Sequence, residues 1–288
     1  MKFGRQYRLT LEMDDGQQAI IIEPPFTLQF SVERNALASL NAATLIIYNL
    51  SEITRGRILH DRFDTTKLRT VILEVGYETL ATIFVGTIRS AGSMRQGSNI
   101  ITTVIADDGG FDTTNTLSFE TIQAGATIGD VVKTLIGDFP NVNQGVVSGM
   151  DAKLSRPVVL DGNTWEQIKK YTKLSAFIDL NKVHVIQDNE VIIGELDVID
   201  SSTGLLETPR REESYLSVTT LLEPRIIIGQ AISLESTIAP VYNGQYKVIG
   251  ASHQGIISEA IGGQCQSRFS LLMGNQLYGA YKTVAETN

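Results

Sequence analysis

Cysteine is nearly missing from this chain, and that scarcity excludes the most. Among 288 residues there is one, Cys265, so no disulfide can close within the chain and no thiolate zinc cage can form. Its expected role is a buried, apolar thiol. Tryptophan is equally scarce, with Trp165 alone. Histidine stops at three, His60, His184 and His253, and none has metal-ligand spacing with another. Charged residues make up 19%, below the average of roughly a quarter. Cations are outnumbered 24 to 32, a formal net charge of −8. That balance disfavours non-specific attachment to DNA or to an anionic membrane, since both need clustered positive charge. No apolar run approaches the roughly 18 residues that cross a bilayer, and the polar start, Met1 to Arg8, lacks an apolar signal core. These absences predict a soluble chain made in a reducing cytoplasm, with no membrane insertion.

Reactive motifs are missing too. There is no Gly-x-Ser-x-Gly elbow, no Walker loop and no dinucleotide glycine fingerprint. Gly92 to Gly97 reads as a hairpin tip, not a phosphate cradle, because no helix follows it. Adjacent carboxylates occur at Asp14-Asp15, Asp107-Asp108 and Glu212-Glu213, but a catalytic pair must face across a substrate and each of these lies in a turn or a connection. Asp107-Asp108-Gly109-Gly110 lacks the spaced oxygen ligands of a calcium loop. His253 reads as a hydrogen-bonded structural imidazole. Trp165 reads as a core anchor at the start of an amphipathic helix, with sugar stacking as the rival. The expectation is therefore no enzyme, with no catalytic, cofactor-binding or metal-binding residue.

What the chain does have is alternation. Phe26 to Glu33 sends Leu28, Phe30 and Val32 one way and Gln29, Ser31 and Glu33 the other, the signature of a half-buried strand. Tyr7 to Met13 and Arg69 to Gly76 alternate likewise, and Gln18 to Ile22, Ala43 to Leu50, Ala81 to Arg89 and Ser98 to Ala106 supply further strands. Ser51-Glu52 caps a short helix over Ile53 to His60. This is enough for a first small antiparallel barrel, residues 1–112.

A different pattern follows. Phe111 to Gly125 reads as an extended crossover anchored by Leu117, Phe119 and Ile122. Thr127 opens a helix whose apolar positions 128, 131, 132, 135 and 136 follow the helical period, and Asn141 to Gly149 reads as a loop. A second helix runs from Trp165 to Lys173, capped by Asn163 or Thr164. A hairpin then turns at Leu180-Asn181. This is a small α+β region, 113–196, followed by a linker, 197–213. From 214 to 288 the chain is β again, with a strand expected over Ile226 to Gly229, an Asn243-Gly244 hairpin turn and a polar tail from Gly274. The fold class predicted is mainly β, with two small antiparallel barrels flanking an α+β insert.

The phrases Ser31-Val-Glu-Arg-Asn35, Asn41-Ala-Ala-Thr-Leu-Ile-Ile-Tyr-Asn-Leu-Ser-Glu-Ile-Thr-Arg55, Val75-Gly-Tyr77 and Phe84-Val-Gly-Thr-Ile88 resemble the first barrel of the tail hub proteins in the baseplates of contractile-tailed bacteriophages. Gly244 to His253 and Ser267 to Leu271 resemble that family's closing barrel, and the order of strand, Trp-bearing helix and hairpin resembles its middle section. The resemblance implies a structural baseplate hub: a homotrimer that joins the hexameric tail tube to the trimeric spike and leaves an axial channel for DNA. It further implies the tube or a tube-initiator protein, the central spike and the wedge proteins as partners, and a place in the virion after assembly in the host cytoplasm. The hub of a type VI secretion spike is a close alternative. A cell-wall-binding module, suggested by Thr127 to Gly149, is a second class, and a glycosidase a third.

Overall fold

A computed structural model describes residues 4–14, 16–37, 40–61, 63, 68–173, 175–259, 262–272 and 282–284. The polar tail from Gly274 and the carboxylate of Asp15 lie outside these residues, apart from 282–284.

The alternating segments are strands, and the parity of each decides what it buries. β1 (Gln6–Glu12), β2 (Ile20–Ile22), β3 (Leu28–Asn35) and β4 (Asn41–Tyr48) come first. α1 (Glu52–Ile58) follows, with Ser51 Oγ accepting the Thr54 N–H at 3.1 Å. β5 (Thr70–Gly76), β6 (Leu80–Gln96) and β7 (Asn99–Asp108) complete the first unit. β6 and β7 run on past the core as a long hairpin that turns at Gly97 and Ser98, as the glycine-bearing tip predicted. The inward rows, Tyr7, Leu9 and Leu11 on β1 and Leu28, Phe30 and Val32 on β3, meet Leu45, Leu73 and Val104 in one core.

The middle region departs from its reading in two places. At its entry the chain swings from β7 through Gly109, whose φ of 68° is left-handed and therefore favours glycine, into α2 (Gly110–Asn115). β8 (Leu117–Ile122) then pairs with β10 (Val158–Asn163) as a two-stranded ribbon. The expected anchors Leu117 and Phe119 are 55% and 69% exposed. The ribbon puts Ser118 and Leu160 inward instead, where Ser118 Oγ bonds Asp138 and Thr164. α3 (Ile128–Gly137) begins with a reciprocal box between Thr127 and Asp130. The expected loop after it contains β9 (Asn143–Val147), which lies parallel to β12 (Lys182–Val185). Its polar start, Asn143 and Gln144, disguises a strand whose Gly145 and Val146 are buried. α4 (Thr164–Thr172) is capped by Asn163, and β11 (Ala176–Asp179) forms the predicted hairpin with β12. Trp165 is buried with Val131, Leu135, Ile168 and Val183 in a second core.

The rest is β13 (Glu190–Val191), β14 (Ile193–Ile199), β15 (Arg210–Arg211), β16 (Tyr215–Leu221), β17 (Gln230–Leu234), β18 (Gly244–Ile257), β19 (Cys265–Leu272) and β20 (Lys282–Thr283). Ile226 to Gly229 is a turn rather than a strand, although Ile226 and Ile228 are buried. Asn243-Gly244 does not make a two-residue hairpin. A longer loop joins β17 to β18, and Asn243 Oδ1 folds it by accepting the Ser236 N–H at 2.6 Å. A third core gathers Leu216, Val218, Ile232, Tyr246, Val248 and Phe269.

The chain is mainly β with few helices, as expected, and among the described residues one ladder joins its two β-units. It runs as one path, β15-β16-β19-β18-β3-β4-β7-β6-β5-β1-β2, with β17 on β18 and β14 on β17. β18 is the shared element. Its first residues pair with β17, up to Lys247 opposite Ala231. From Gly250 to Ile257 it pairs instead with β3, while β19 lies along its other edge.

Candidate functional site

The residues with reactive potential are spread apart and each is occupied structurally. His60 lies in a bridge with Ala91, its N–H donating to Ala91 O at 3.0 Å. His184 stacks on Phe177 at 5.3 Å, and its Nδ1 accepts the Val146 N–H at 3.2 Å. His253 is fully buried, with Nδ1 2.8 Å from Ser267 Oγ. Burial first, and the nearby Arg34 charge second, push its pKa down to about 3. Cys265 is buried, which raises its thiol pKa. Asp14 pairs with Arg69 at 2.6 Å, Asp107 with Arg89 at 3.2 Å and Glu212 with Arg210 at 3.6 Å. Among the described residues, no group of His, Cys, Asp and Glu is placed to hold a metal, and no helix is long and apolar enough to cross a membrane.

The polar chemistry that is concentrated lies where three parts of the chain meet. β3 alternates to its end, so the fourth inward position after Leu28, Phe30 and Val32 falls to Arg34, 2% exposed. A buried guanidinium needs a carboxylate partner. Asp179, at the end of β11, supplies it with Oδ1 2.7 Å from Nε and Oδ2 2.6 Å from Nη2, the two-pronged geometry that suits arginine. Asn41, the first residue of β4, donates to Ile178 O at 2.8 Å and reaches Asp179 Oδ1 at 3.3 Å. Its Oδ1 accepts the Asn35 N–H at 2.8 Å.

Asp108, the last residue of β7, faces the same place. It accepts the Asn181 N–H at 3.0 Å from the turn after Asp179. That turn runs through Leu180 and Asn181, both left-handed with φ of 51° and 62°. Asn181 also donates to Asn141 O at 2.8 Å. Asp112 on α2 accepts three N–H groups, from Asn141 backbone and side chain and from Val142, at 2.7–2.9 Å. Burial, and then the neighbouring Asp179 charge, raise the Asp108 pKa to about 8. Burial also works against the Arg34 charge, but Asp179 and Asp108 together outweigh it and the Arg34 pKa moves up. The joint therefore ties β3, β4 and β7 to the insert at one buried point. Reading for reactive motifs passes over it. The available signal was Arg34 at an inward parity position of a clean strand.

The fold is thus two β-units sharing one strand, with an insert pinned to them by a buried ion pair. Residues 7–254 match the family model described as Baseplate hub gp41, and the chain belongs to that family. By that family it is a baseplate hub protein. No curated protein matches its sequence.

Solved structures share the fold at low identity. The tail protein from Neisseria meningitidis MC58 has a TM-score of 0.59 at 10% identity, over 95% of this chain and 98% of its own. The 43 kDa tail protein of prophage MuSo2 from Shewanella oneidensis has a TM-score of 0.61 at 9% identity, over 96% and 99%. The Escherichia coli c3393 protein, described as a type VI secretion component similar to the T4 tail proteins gp27 and gp5, has a TM-score of 0.55 at 11% identity, over 94% and 78%.

Proposed function

We propose that the chain is the structural hub of a contractile-tail baseplate, acting as a homotrimer that joins the hexameric tail tube to the trimeric central spike. The observation that carries this reading is the sheet shared through β18, which couples two β-units side by side in one chain. Three chains then bring six β-units to a ring. Six meets the symmetry of the tube, while the chain count keeps the symmetry of the spike. Ring closure also gives the free sheet edges, β2 and β15, a neighbour. A compact 100-residue domain has a radius of gyration of about 13 Å, so six such discs leave a hole roughly 34 Å wide before loops intrude, enough for a DNA duplex.

The net charge of −8 suits a channel wall that DNA passes without sticking. Expected partners are the tube or a tube-initiator protein, the spike and the baseplate wedge proteins, in a virion assembled in the host cytoplasm. The units of this hub are residues 1–112, 113–196 and 214–288, joined by 197–213. A second reading, the hub of a type VI secretion-like spike, is favoured by the fold shared with c3393. Quantitative mass spectrometry of purified particles tests the proposal. Three copies per particle, equal to the spike chain, are expected, and six copies would contradict it.

A further inference from the structure

The joint between sheet and insert contains more negative than positive groups. Arg34, Asp179 and Asp108 are 2%, 4% and 2% exposed, and the one guanidinium is already engaged by both oxygens of Asp179. Asp108 accepts main-chain N–H groups from Asn181 and Leu180, and the Arg34 charge favours its ionised form, but burial and the Asp179 charge outweigh them. Of the other elements packed here, β12 brings Lys182, half-buried and opposite Asp179 in the ladder with β11. β4 brings the neutral Asn41, β18 brings His253, and α2 brings Asp112, satisfied by its three N–H donors. Asp107, next along β7, points to the opposite face and pairs with Arg89. Two carboxylates for one guanidinium, out of water, cannot both carry charge cheaply.

We propose that Asp108 is a proton-operated latch between the insert and the first sheet. With its proton, the carboxyl is a neutral hydrogen-bonding group that the joint accommodates. Without it, like charges face each other across the contact and the insert's hold on β3, β4 and β7 loosens. The pKa of about 8 in the closed joint agrees with this count, and His253, near 3, stays uncharged across the same range.

The sign follows from linkage. The folded value is raised above an open-state value of about 3.9. The closed joint therefore binds the proton more tightly, and its stabilisation is fully present below about pH 4. It is lost progressively as pH rises through about 8 and is level above that.

Hydrogen exchange on the full chain, corrected for intrinsic base catalysis, reads this directly. Reporter amides are Asn181 and Asn143, bonded to Asp108 and to Asn181 O. Leu73 and Val104, in the first core, are controls. The opening equilibrium at the reporters is expected to rise by about tenfold or more from pH 6 to pH 8. Asp108→Asn keeps an oxygen to accept the Asn181 N–H but cannot ionise, so its reporters should change by less than about twofold. The same pH slope in both proteins, or a flat wild type, overturns the latch. Carboxyl-carbon NMR of Asp108 in the unmodified chain gives an independent reading. A midpoint of about 7 or higher supports the proposal, and a midpoint below that refutes it.

Discussion

Replacing Gly255 by alanine tests whether β18 is clamped between its two neighbours. Gly255 lies opposite Cys265 on β19 and opposite Phe30 on β3. A Cβ there falls 2.2 Å from Cys265 Sγ and 2.9 Å from both Cys265 Cα and Gln264 O. The thiol has a side-chain torsion with which to move aside, but the two main-chain atoms do not. Reaching ordinary contact near about 3.5 Å means opening the ladder by about half an ångström, in a strand paired on both edges. Overpacking costs typically ~1–3 kcal/mol, and two backbone contacts out of three place Gly255→Ala toward the upper end, at ~2–3 kcal/mol. Adding Cys265→Ala removes the nearest atom and leaves the other two, so the pair should be less destabilised than the sum of the singles, by about 0.5–1 kcal/mol. Urea unfolding followed by far-ultraviolet circular dichroism reports the sheet, while fluorescence of Trp165, the only tryptophan, reports the insert. The dichroism midpoint should fall in Gly255→Ala and recover partly in the double variant. A midpoint equal to that of the wild type would refute close packing between β18 and β19.

The other predictions concern the insert core and the channel. Trp165→Ala should destabilise the insert by ~3–5 kcal/mol, because the indole is buried among Val131, Leu135 and Ile168; a melting curve that does not move would mean the ring is not packed. The isolated chain should not shift duplex DNA in a gel at physiological salt, given its net charge of −8; a salt-sensitive shift at micromolar protein would contradict the non-sticking channel wall.

Strands were legible where one face is buried and the other wet. β1, β3 and β5 alternate without interruption, because each lines a core on one side only. Helix starts were legible because their caps are local chemistry, as at Ser51, Thr127 and Asn163. The inward face of the ribbon β8–β10 is not legible in the sequence. Alternation says that two faces differ but not which faces inward, and small polar Ser118 is buried while Phe119 is exposed. The path of the sheet was hidden for a related reason. β18 looks like an ordinary strand of the last unit, and only its length of 14 residues hints that it serves two neighbours in turn. The joint was half legible. Arg34 sits at an inward parity position, but its partner Asp179 is 145 residues away, and no local pattern names it.

The central claim is that one chain supplies two β-units to a ring of three chains. An electron-microscopy map of the assembled particle tests it most directly, because the spike and the tube are both present there to template the ring. The account predicts three copies around the axis, with residues 1–112 and 214–288 alternating at one radius to give near-sixfold symmetry. Six copies in the ring, or the two β-units of one chain lying at different radii, would contradict it.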